Sequence, residues 1–296
     1  MFISNSNLAL WLIERYKSAW DKGNPKLETQ LGSLEGEFSY ALMTIKNKTQ
    51  KGIGVDVYNK DVMEIGCGRG GICLFIAMNG ANKVTGVDIS TEALDTAEKI
   101  TASFAEKGLV NANKLEFRKE FVENMSFPDE SFDVIIADNI LEHVNDLDAT
   151  VKECARVLRK DGILYVPNFP PIYSRFGPHL KYGSKIPWLH IFFTEKAICD
   201  AVYKRAVKYP DLKLFDWYPC LKDHPATFRD IRRYKDMNYI TNKKFKEAVS
   251  KSNMKLVKLH SKRSKIQKIL LTILPFLKNG IMGDIFSYGT LAIAKK

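Results

Sequence analysis

A glycine-rich turn followed by an acidic residue is the part of the sequence whose residue types most directly indicate chemistry. The run Val62-Met-Glu-Ile-Gly66-Cys-Gly-Arg-Gly70-Gly places glycines where a predicted strand passes into a helix. Glycine there permits positive φ and lets a ligand approach the backbone, while the helix offers free N–H groups. Asp88 ends the next hydrophobic strand, where a carboxylate can accept hydrogen bonds from both ribose hydroxyls. The pattern predicts an adenosine-containing ligand but leaves its identity open, since Gly66-x-Gly68-x-x-Gly71 also satisfies the dinucleotide fingerprint.

Four short motifs follow one another between residues 61 and 166. They are Glu64-Ile-Gly-Cys-Gly-Arg-Gly70, Val84-Thr-Gly-Val-Asp88-Ile-Ser, Phe127-Pro-Asp-Glu-Ser-Phe-Asp133-Val-Ile-Ile-Ala-Asp138-Asn-Ile-Leu-Glu-His143-Val, and Leu158-Arg-Lys-Asp-Gly162-Ile-Leu-Tyr-Val. In this order the motifs resemble those of class I S-adenosylmethionine (SAM)-dependent methyltransferases, of which dehydrogenases share only the first two. The segments beyond them resemble weakly those of small-molecule methyltransferases of sugar and polysaccharide pathways. The resemblance implies SAM as cofactor and S-adenosylhomocysteine (SAH) as product.

The resemblance also implies a set of cofactor-binding residues. Glu64 and the Gly66 to Gly70 backbone would hold the methionine portion, and Asp88 would bind the ribose with Ile89 against the adenine. The full set is Glu64, Gly66, Cys67, Gly68, Gly70, Asp88, Ile89, Phe121, Val122, Asp138 and Asn139.

Two positions of this set depend on the later strands. The family usually carries an acidic residue near the end of the third strand, where this chain has Phe121 and Val122, so the adenine contact would come from the backbone or from Glu120. Asp138 and Asn139, at the mouth of the fourth strand, would face the methionine portion and the reacting centre.

Histidines are the candidate catalytic residues. Methyl transfer is an in-line displacement, so it needs a base only when the acceptor keeps its proton. His143 follows the fourth strand, and an imidazole with its ordinary pKa of about 6.5 suits a base at neutral pH. His179 and His190 are further candidates. Packing or loop-orienting roles for these residues stay open.

From Asp61 onward, β-rich runs alternate with helical spacing, which predicts βαβ units. With the resemblance, the predicted fold is α/β, a doubly wound, seven-stranded, mostly parallel sheet of the Rossmann-like methyltransferase type. We predict an N-terminal helical cap at 1–60, a SAM-binding core at 61–166, an acceptor-binding insertion or lid at 167–240 after the fifth strand, and completion of the sheet at 241–296.

Several individual elements follow from periodicity and capping residues. Ser90 is a predicted helix N-cap and Gly108 a predicted helix stop. Helices are predicted at 7–20, 38–46, 71–79, 91–107, 145–158, 194–204 and 241–252, with late strands at 254–260 and 286–294. A basic amphipathic helix near 265–277 would pack on the sheet or lie on a membrane surface.

Charge is distributed unevenly along the chain. The first 150 residues carry 15 basic and 23 acidic residues, whereas the remainder carries 30 and 11, which accounts for the overall charge of +11. The basic half favours an anionic small-molecule acceptor and leaves peripheral contact with an acidic membrane surface open. The absence of nucleic-acid motifs argues against nucleic acid as a partner.

Cysteine usage and hydropathy narrow the class of protein further. The five cysteines form no metal-ligand pattern, so we expect neither a disulfide nor a metal. No secretory leader or membrane-spanning run is apparent, which predicts a cytoplasmic protein, with peripheral contact at the inner membrane surface left open.

These observations predict an enzyme, a SAM-dependent methyltransferase that acts on a hydroxyl of a sugar or other anionic small molecule. An RNA or lipid/quinone methyltransferase, a catalytically silent SAM- or nucleotide-binding module, and an NAD-dependent oxidoreductase are the alternatives. The acceptor and the oligomeric state do not follow from the sequence.

Overall fold

A computed structural model of the protein describes most of the predicted core and parts of the flanking segments. The described residues are 6–15, 41, 54–175, 177, 188–209, 238–263, 267, 272–274, 280–285, 287 and 289–296. His179 lies outside them. The predicted helices at 38–46 and 265–277 also lie outside, apart from a few single residues.

The described residues form a seven-stranded sheet with the strand order β3-β2-β1-β4-β5-β7-β6. Strands β1 to β5 run parallel, and β7 is antiparallel to both β5 and β6. The strands are β1 (Asp61–Ile65), β2 (Lys83–Asp88), β3 (Leu115–Lys119), β4 (Phe132–Asp138), β5 (Leu158–Phe169), β6 (Lys255–Lys262) and β7 (Gly289–Lys295). This sheet confirms the predicted α/β fold. The strand order reverses between β1 and β4, which is where such sheets bind ligands.

Helices connect the strands or flank the sheet. In chain order they are α1 (Ser6–Arg15), α2 (Gly71–Met78), α3 (Thr91–Glu106), α4 (Leu147–Val157), α5 (Leu189–Phe192), α6 (Glu195–Lys208), α7 (Asn242–Lys251) and α8 (Gly280–Ile285). Ser90 is the N-cap of α3, as predicted, because its side chain accepts a hydrogen bond from Ala93 N at 3.2 Å. Gly108, at φ +68°, follows the end of the same helix.

Alternating residues of the strands face two helical layers. On β4, Ile135 packs into a core with Val151 of α4 and Phe245 of α7. Its neighbour Ile136 faces the opposite way, into a core that contains Ile76 of α2. The period of two along a buried strand thus places one helical layer on each face of the sheet.

A helix that follows β5 contacts the helix near the N-terminus. Helix α1 packs against α6, and Lys204 Nζ donates to Asn7 Oδ1 at 2.7 Å. The segment after β5 is joined to the β6–β7 connection, since Trp188 Nε1 donates to the Ile285 carbonyl at 3.0 Å and Arg175 N to the Ser287 carbonyl at 3.1 Å. Segments far apart in the sequence therefore meet in two places, at the contact of α1 with α6 and at the contact of the segment after β5 with the β6–β7 connection.

Within the part of the chain that the structure describes, no helix is both long and apolar enough to cross a bilayer. In the same residues, no three His, Cys, Asp or Glu side chains are grouped closely enough to hold a metal ion.

Candidate cofactor site

The glycine-rich turn connects β1 to α2 at the carboxyl edge of the sheet. Gly66 has φ +67°, and a Cβ at this position would lie 2.5 Å from Ile140 Cγ1, so both the backbone conformation and the space require glycine. Gly68 has φ +50°, but a Cβ there would meet no atom of the described part of the chain within 4 Å. The backbone at Gly68 therefore borders open space into which a ligand can approach.

Asp88 lies beside this turn at the end of β2. Its Oδ2 accepts a hydrogen bond from Gly68 N at 2.8 Å, and its Oδ1 accepts one from Ser90 N at 2.9 Å. A carboxylate offers roughly four acceptor positions, so two contacts leave capacity for the hydroxyls of a ribose. Ile89 follows with 61% of its surface exposed, so an apolar side chain borders the same place.

Glu64 is buried beneath the turn. Its Oε2 accepts a hydrogen bond from Cys73 Sγ, in the first turn of α2, at 2.9 Å. Burial raises the pKa of the Cys73 thiol well above its usual value, so the thiol stays a donor. Cys67 is also buried, and its backbone N donates to the Val87 carbonyl at 3.0 Å, which fastens the turn to β2. The sequence analysis did not assign a role to Cys73.

Phe121 and Val122, the two predicted cofactor-binding residues after β3, differ in exposure. Phe121 is 60% exposed, whereas Val122 is buried in the core on the α4 side of the sheet. Glu120 N donates to the Asp88 carbonyl at 3.2 Å, which places this segment beside Asp88. The Glu120 carboxylate is held internally, accepting from both the backbone N and the hydroxyl of Ser126.

The mouth of β4 carries a hydrogen-bonded set of polar side chains. Asn139 has φ +56°, its Nδ2 donates to Asp138 Oδ1 at 3.1 Å, and its backbone N donates to the Asn168 carbonyl at 2.9 Å. Asn168 Nδ2 in turn donates to Asn139 Oδ1 at 2.7 Å, and Lys262 Nζ donates to Asn168 Oδ1 at 3.0 Å. Asn168 and Lys262 were not among the site residues predicted from the sequence. An asparagine at the end of a predicted strand is the sequence feature that could have identified Asn168 as a site residue.

The candidate histidines lie in different surroundings. His143 is half-buried in the turn after β4, where its backbone N donates to the Ile140 carbonyl at 2.8 Å. His190 lies on α5, and both of its ring nitrogens are buried with no hydrogen-bond partner among the residues that the structure describes. Burial lowers the pKa of His190 to about 4, an effect that the nearby backbone of Ile172 opposes. The His190 imidazole is therefore neutral at pH 7 and a weaker base than an exposed one.

A separate cavity of about 680 Å³ lies between α7, the end of β6 and α8. Its lining includes Lys243, Lys246, His260 and Arg263, together with the buried carboxylate of Asp284. Burial raises the pKa of Asp284 to about 6.

The comparisons with known proteins agree with this geometry. Residues 63–166 match the family model described as a methyltransferase domain. A solved S-adenosylmethionine-dependent methyltransferase from Mesorhizobium loti shares the fold, with a TM-score of 0.50, 13% identity, and coverage of 85% of this chain and 98% of that chain. Residues 63–166 therefore match a methyltransferase domain, and the sheet around them has the fold of a SAM-dependent methyltransferase.

Two curated relatives are similar to part of the chain. The ubiquinone biosynthesis O-methyltransferase of Actinobacillus pleuropneumoniae is 38% identical over 110 residues, which are 37% of this chain and 45% of the relative. An uncharacterized methyltransferase of Bacillus subtilis, YcgJ, is 35% identical over 124 residues, 40% of this chain and 46% of the relative. The chain thus spans less than half the length of these relatives.

Proposed function

We propose that the protein is a SAM-dependent O-methyltransferase that acts on a hydroxyl of a small-molecule acceptor. The observation that supports the proposal most strongly is the hydrogen bond between the glycine-rich turn and Asp88. There, the Gly68 backbone borders open space and Asp88 keeps acceptor capacity at the reversal of strand order. The match of residues 63–166 to a methyltransferase domain supports the choice of SAM over a dinucleotide.

The residues of the carboxyl edge fit this cofactor. In the proposal, the Gly66 to Gly70 backbone and Glu64 hold the methionine portion, Asp88 binds the ribose, and the exposed side chains of Ile89 and Phe121 contact the adenine. The methyl group of SAM is bonded to a positively charged sulfur and is therefore electrophilic. The protein's main task is then to orient the acceptor oxygen in line with that bond.

Asp138 and Asn139 border the reacting centre in this arrangement. His143 is the proposed base, because it follows the same strand and is half-buried rather than enclosed. The low pKa of His190, caused by its burial, favours His143 over His190 for proton removal. His179 stays a candidate outside the described residues.

The acceptor-binding part of the proposal concerns residues 167–240 and the N-terminal cap. The contact between α1 and α6 supports a joint contribution of both segments, because it brings the N-terminal helix against a helix of residues 167–240. In the same proposal, residues 61–166 form the SAM-binding core and residues 241–296 complete the sheet.

Two classes of acceptor are in question. The sequence favoured a sugar or other anionic metabolite, with a lipid or quinone acceptor as an alternative. The name of the Actinobacillus relative favours that alternative, a ring hydroxyl of a quinone precursor. The family match ends at residue 166 and therefore supports methyl transfer as the reaction. The segments that we propose to contact the acceptor lie outside residues 63–166, so the match does not bear on the identity of the acceptor. We therefore propose a ring hydroxyl as the first choice of methyl acceptor and a sugar hydroxyl as the second.

The lining of the 680 Å³ cavity is mixed in charge, so the proposal of an anionic acceptor rests on the excess of basic residues after position 150. A lipid-linked quinone precursor would also bring a cytoplasmic protein to the inner membrane surface, which is the localisation that we propose.

The test is methyl transfer from SAM carrying an isotopically labelled methyl group to a matched panel of acceptors. The panel contains a prenylated dihydroxybenzoate, a nucleotide sugar, and the prenylated compound with its ring hydroxyls already methylated as the control. Label in the first alone supports the quinone-type acceptor, and label in the nucleotide sugar alone supports the sugar. Binding of SAH without label in any hydroxyl compound would contradict the proposed activity and favour a silent SAM-binding module.

A further inference from the structure

Four polar side chains form a continuous chain from the edge strand β6 to the mouth of β4, which we name the amide relay. It runs from Lys262 Nζ to Asn168 Oδ1 (3.0 Å), from Asn168 Nδ2 to Asn139 Oδ1 (2.7 Å), and from Asn139 Nδ2 to Asp138 Oδ1 (3.1 Å). We propose that Lys262 is a positioning residue for the cofactor site and acts through this relay. The inference rests on the proposed function, which places Asp138 and Asn139 beside the cofactor.

The chemistry of its two ends fixes the direction of the relay. A lysine ammonium only donates hydrogen bonds, and an ionised carboxylate only accepts them, whereas an amide side chain can present either its oxygen or its nitrogen. Because Lys262 donates to the oxygen of Asn168, that amide presents its nitrogen to Asn139. Asn139 then presents its nitrogen to Asp138. The ammonium at one end and the Asp138 carboxylate at the other therefore favour the same orientation of both amides.

The reach of Lys262 depends on a glycine in the intervening strand. Strand β7 lies between β5 and β6, and Gly289 of β7 is in register with Lys262. A Cβ on Gly289 would lie only 2.2 Å from Asn168 Oδ1, the atom that accepts the lysine hydrogen bond. Any side chain at residue 289 would therefore displace the relay, and glycine keeps the passage between β5 and β6 open.

The relay also holds a backbone of unusual conformation. Asn139 has φ +56°, in the left-handed region that costs most residues energy, although asparagine tolerates it better than others. Its backbone N donates to the Asn168 carbonyl at 2.9 Å, so Asn168 fixes both the backbone and the side chain of Asn139. Removing the ammonium would let the Asn168 amide rotate and would loosen the residue beside the proposed methionine subsite.

The experiment measures SAH affinity by calorimetry in four variants of the full chain. Lys262→Met removes the donor, Gly289→Ala blocks the contact while leaving the lysine in place, and Lys262→Arg keeps a group that only donates. Lys258→Met, an exposed lysine on the same strand, is the matched control. We expect roughly tenfold weaker binding for Lys262→Met and for Gly289→Ala, the loss associated with a hydrogen bond to a charged group. Lys262→Arg should recover part of the affinity, and Lys258→Met should bind as the wild type does.

The double variant Lys262→Met with Gly289→Ala distinguishes the relay from two separate structural effects. Since both changes break the same contact, the double variant should bind SAH no more weakly than either single variant. Additive losses, or wild-type affinity in Lys262→Met, would overturn the inference while leaving the proposed function intact. If Lys262→Met does not fold, Gly289→Ala and Lys262→Arg carry the same test. A wild-type protein that does not bind SAH would overturn the proposed function together with the role of Lys262.

Discussion

Asp88 connects the two parts of the candidate site at the scale of single residues. Its carboxylate holds the backbone N of Gly68 and that of Ser90 at the same time. The first contact fixes the turn against β2, and the second fixes the start of α3. A ligand that binds Asp88 would therefore meet a carboxylate that is already oriented, which lowers the cost of ordering it on binding.

Asp88→Ala should weaken SAH binding by about 100-fold or more, because it removes a charged acceptor of the ribose and loosens the turn at Gly68. Calorimetric titration measures the effect. Asp95→Ala, which removes an exposed carboxylate from α3, is the control and should bind SAH normally. Equal affinity in the Asp88 variant and in the wild type would remove Asp88 from the site.

His190 gives a prediction about stability and pH. Its folded-state pKa of about 4 lies below the ordinary value of 6.5 because burial penalises the charged imidazole. The folded state therefore has its full stability from this residue above pH 6.5 and loses it as the pH falls towards 4. Relative to His190→Gln, the wild type should lose on the order of 3 kcal/mol in free energy of unfolding over that range. Urea denaturation at several pH values measures it, and a constant difference would contradict a buried neutral imidazole.

Individual residues show what the sequence can and cannot reveal at this scale. The Gly66 to Gly70 turn and the Ser90 cap are local patterns, so their backbone conformations could be predicted from neighbouring residues. The pairing of Cys73 with Glu64 depends on how α2 folds back over β1. The contact of Lys262 with Asn168 spans 94 positions in the sequence, so it depends on the pairing of β7 with both of its neighbours.

At the scale of elements, an arginine joins three strands at the end of the sheet opposite the site. Arg159 Nη2 donates to Asp61 Oδ2 at 2.9 Å, and its Nη1 donates to Asp133 Oδ2 at 2.8 Å. The same Asp133 oxygen accepts from Asp61 N at 2.8 Å. The network thus ties together the amino ends of β1, β4 and β5, far from the glycine-rich turn.

Arg159→Met should lower the free energy of unfolding by about 1 to 2 kcal/mol, since it leaves two partly buried carboxylates without their shared partner. It should leave SAH affinity unchanged, because the network lies at the opposite strand ends. Chemical denaturation and calorimetry measure the two quantities separately. Lys160→Met, at the exposed neighbouring position, is the control. A large loss of SAH affinity at normal stability would show that the two ends of the sheet are coupled.

The predicted boundaries of helices and strands agree with the structure where capping residues are present. They differ from it where strands are irregular. Strand β5 begins at Leu158, directly after α4 ends. It has four residues between Leu158 and Ile163, where β4 has one between Phe132 and Val134. A register shift between Phe132 and Val134 of β4 accommodates the extra residues, with Asp161 at φ +67°. Helix α6 continues to Lys208, four residues beyond the prediction, and the short helix α5 was not predicted. Pattern reasoning detects strands by alternation, and a bulge interrupts that alternation.

At the scale of the whole molecule, the charge asymmetry predicts how an anionic acceptor associates. The residues after 150 carry 30 basic and 11 acidic side chains. Raising the salt concentration from about 0.05 to about 0.5 M should therefore raise the KM of an anionic acceptor several-fold, because salt screens long-range attraction. An uncharged analogue is the control and should show little change. Equal salt dependence for the two acceptors would contradict electrostatic recognition of the acceptor.

The large-scale arrangement was predictable only in its core. Alternating strands and helices, together with the four motifs, predicted the sheet and its helical layers. The contact of α1 with α6 was not predictable, because each helix shows an apolar stripe but no sign of its partner. The identity of the acceptor is the feature that is hardest to predict from the sequence. Acceptor-binding surfaces outside the core lack the local sequence patterns that mark a cofactor-binding turn.

The central claim is that the glycine-rich turn and Asp88 bind SAM rather than a dinucleotide. Parallel calorimetric titrations of the wild-type protein with SAH and with NAD test it most directly. We expect SAH binding with a dissociation constant on the order of micromolar and no detectable binding of NAD. Binding of NAD alone would rule out the assignment of SAM and identify the site as that of a dinucleotide enzyme.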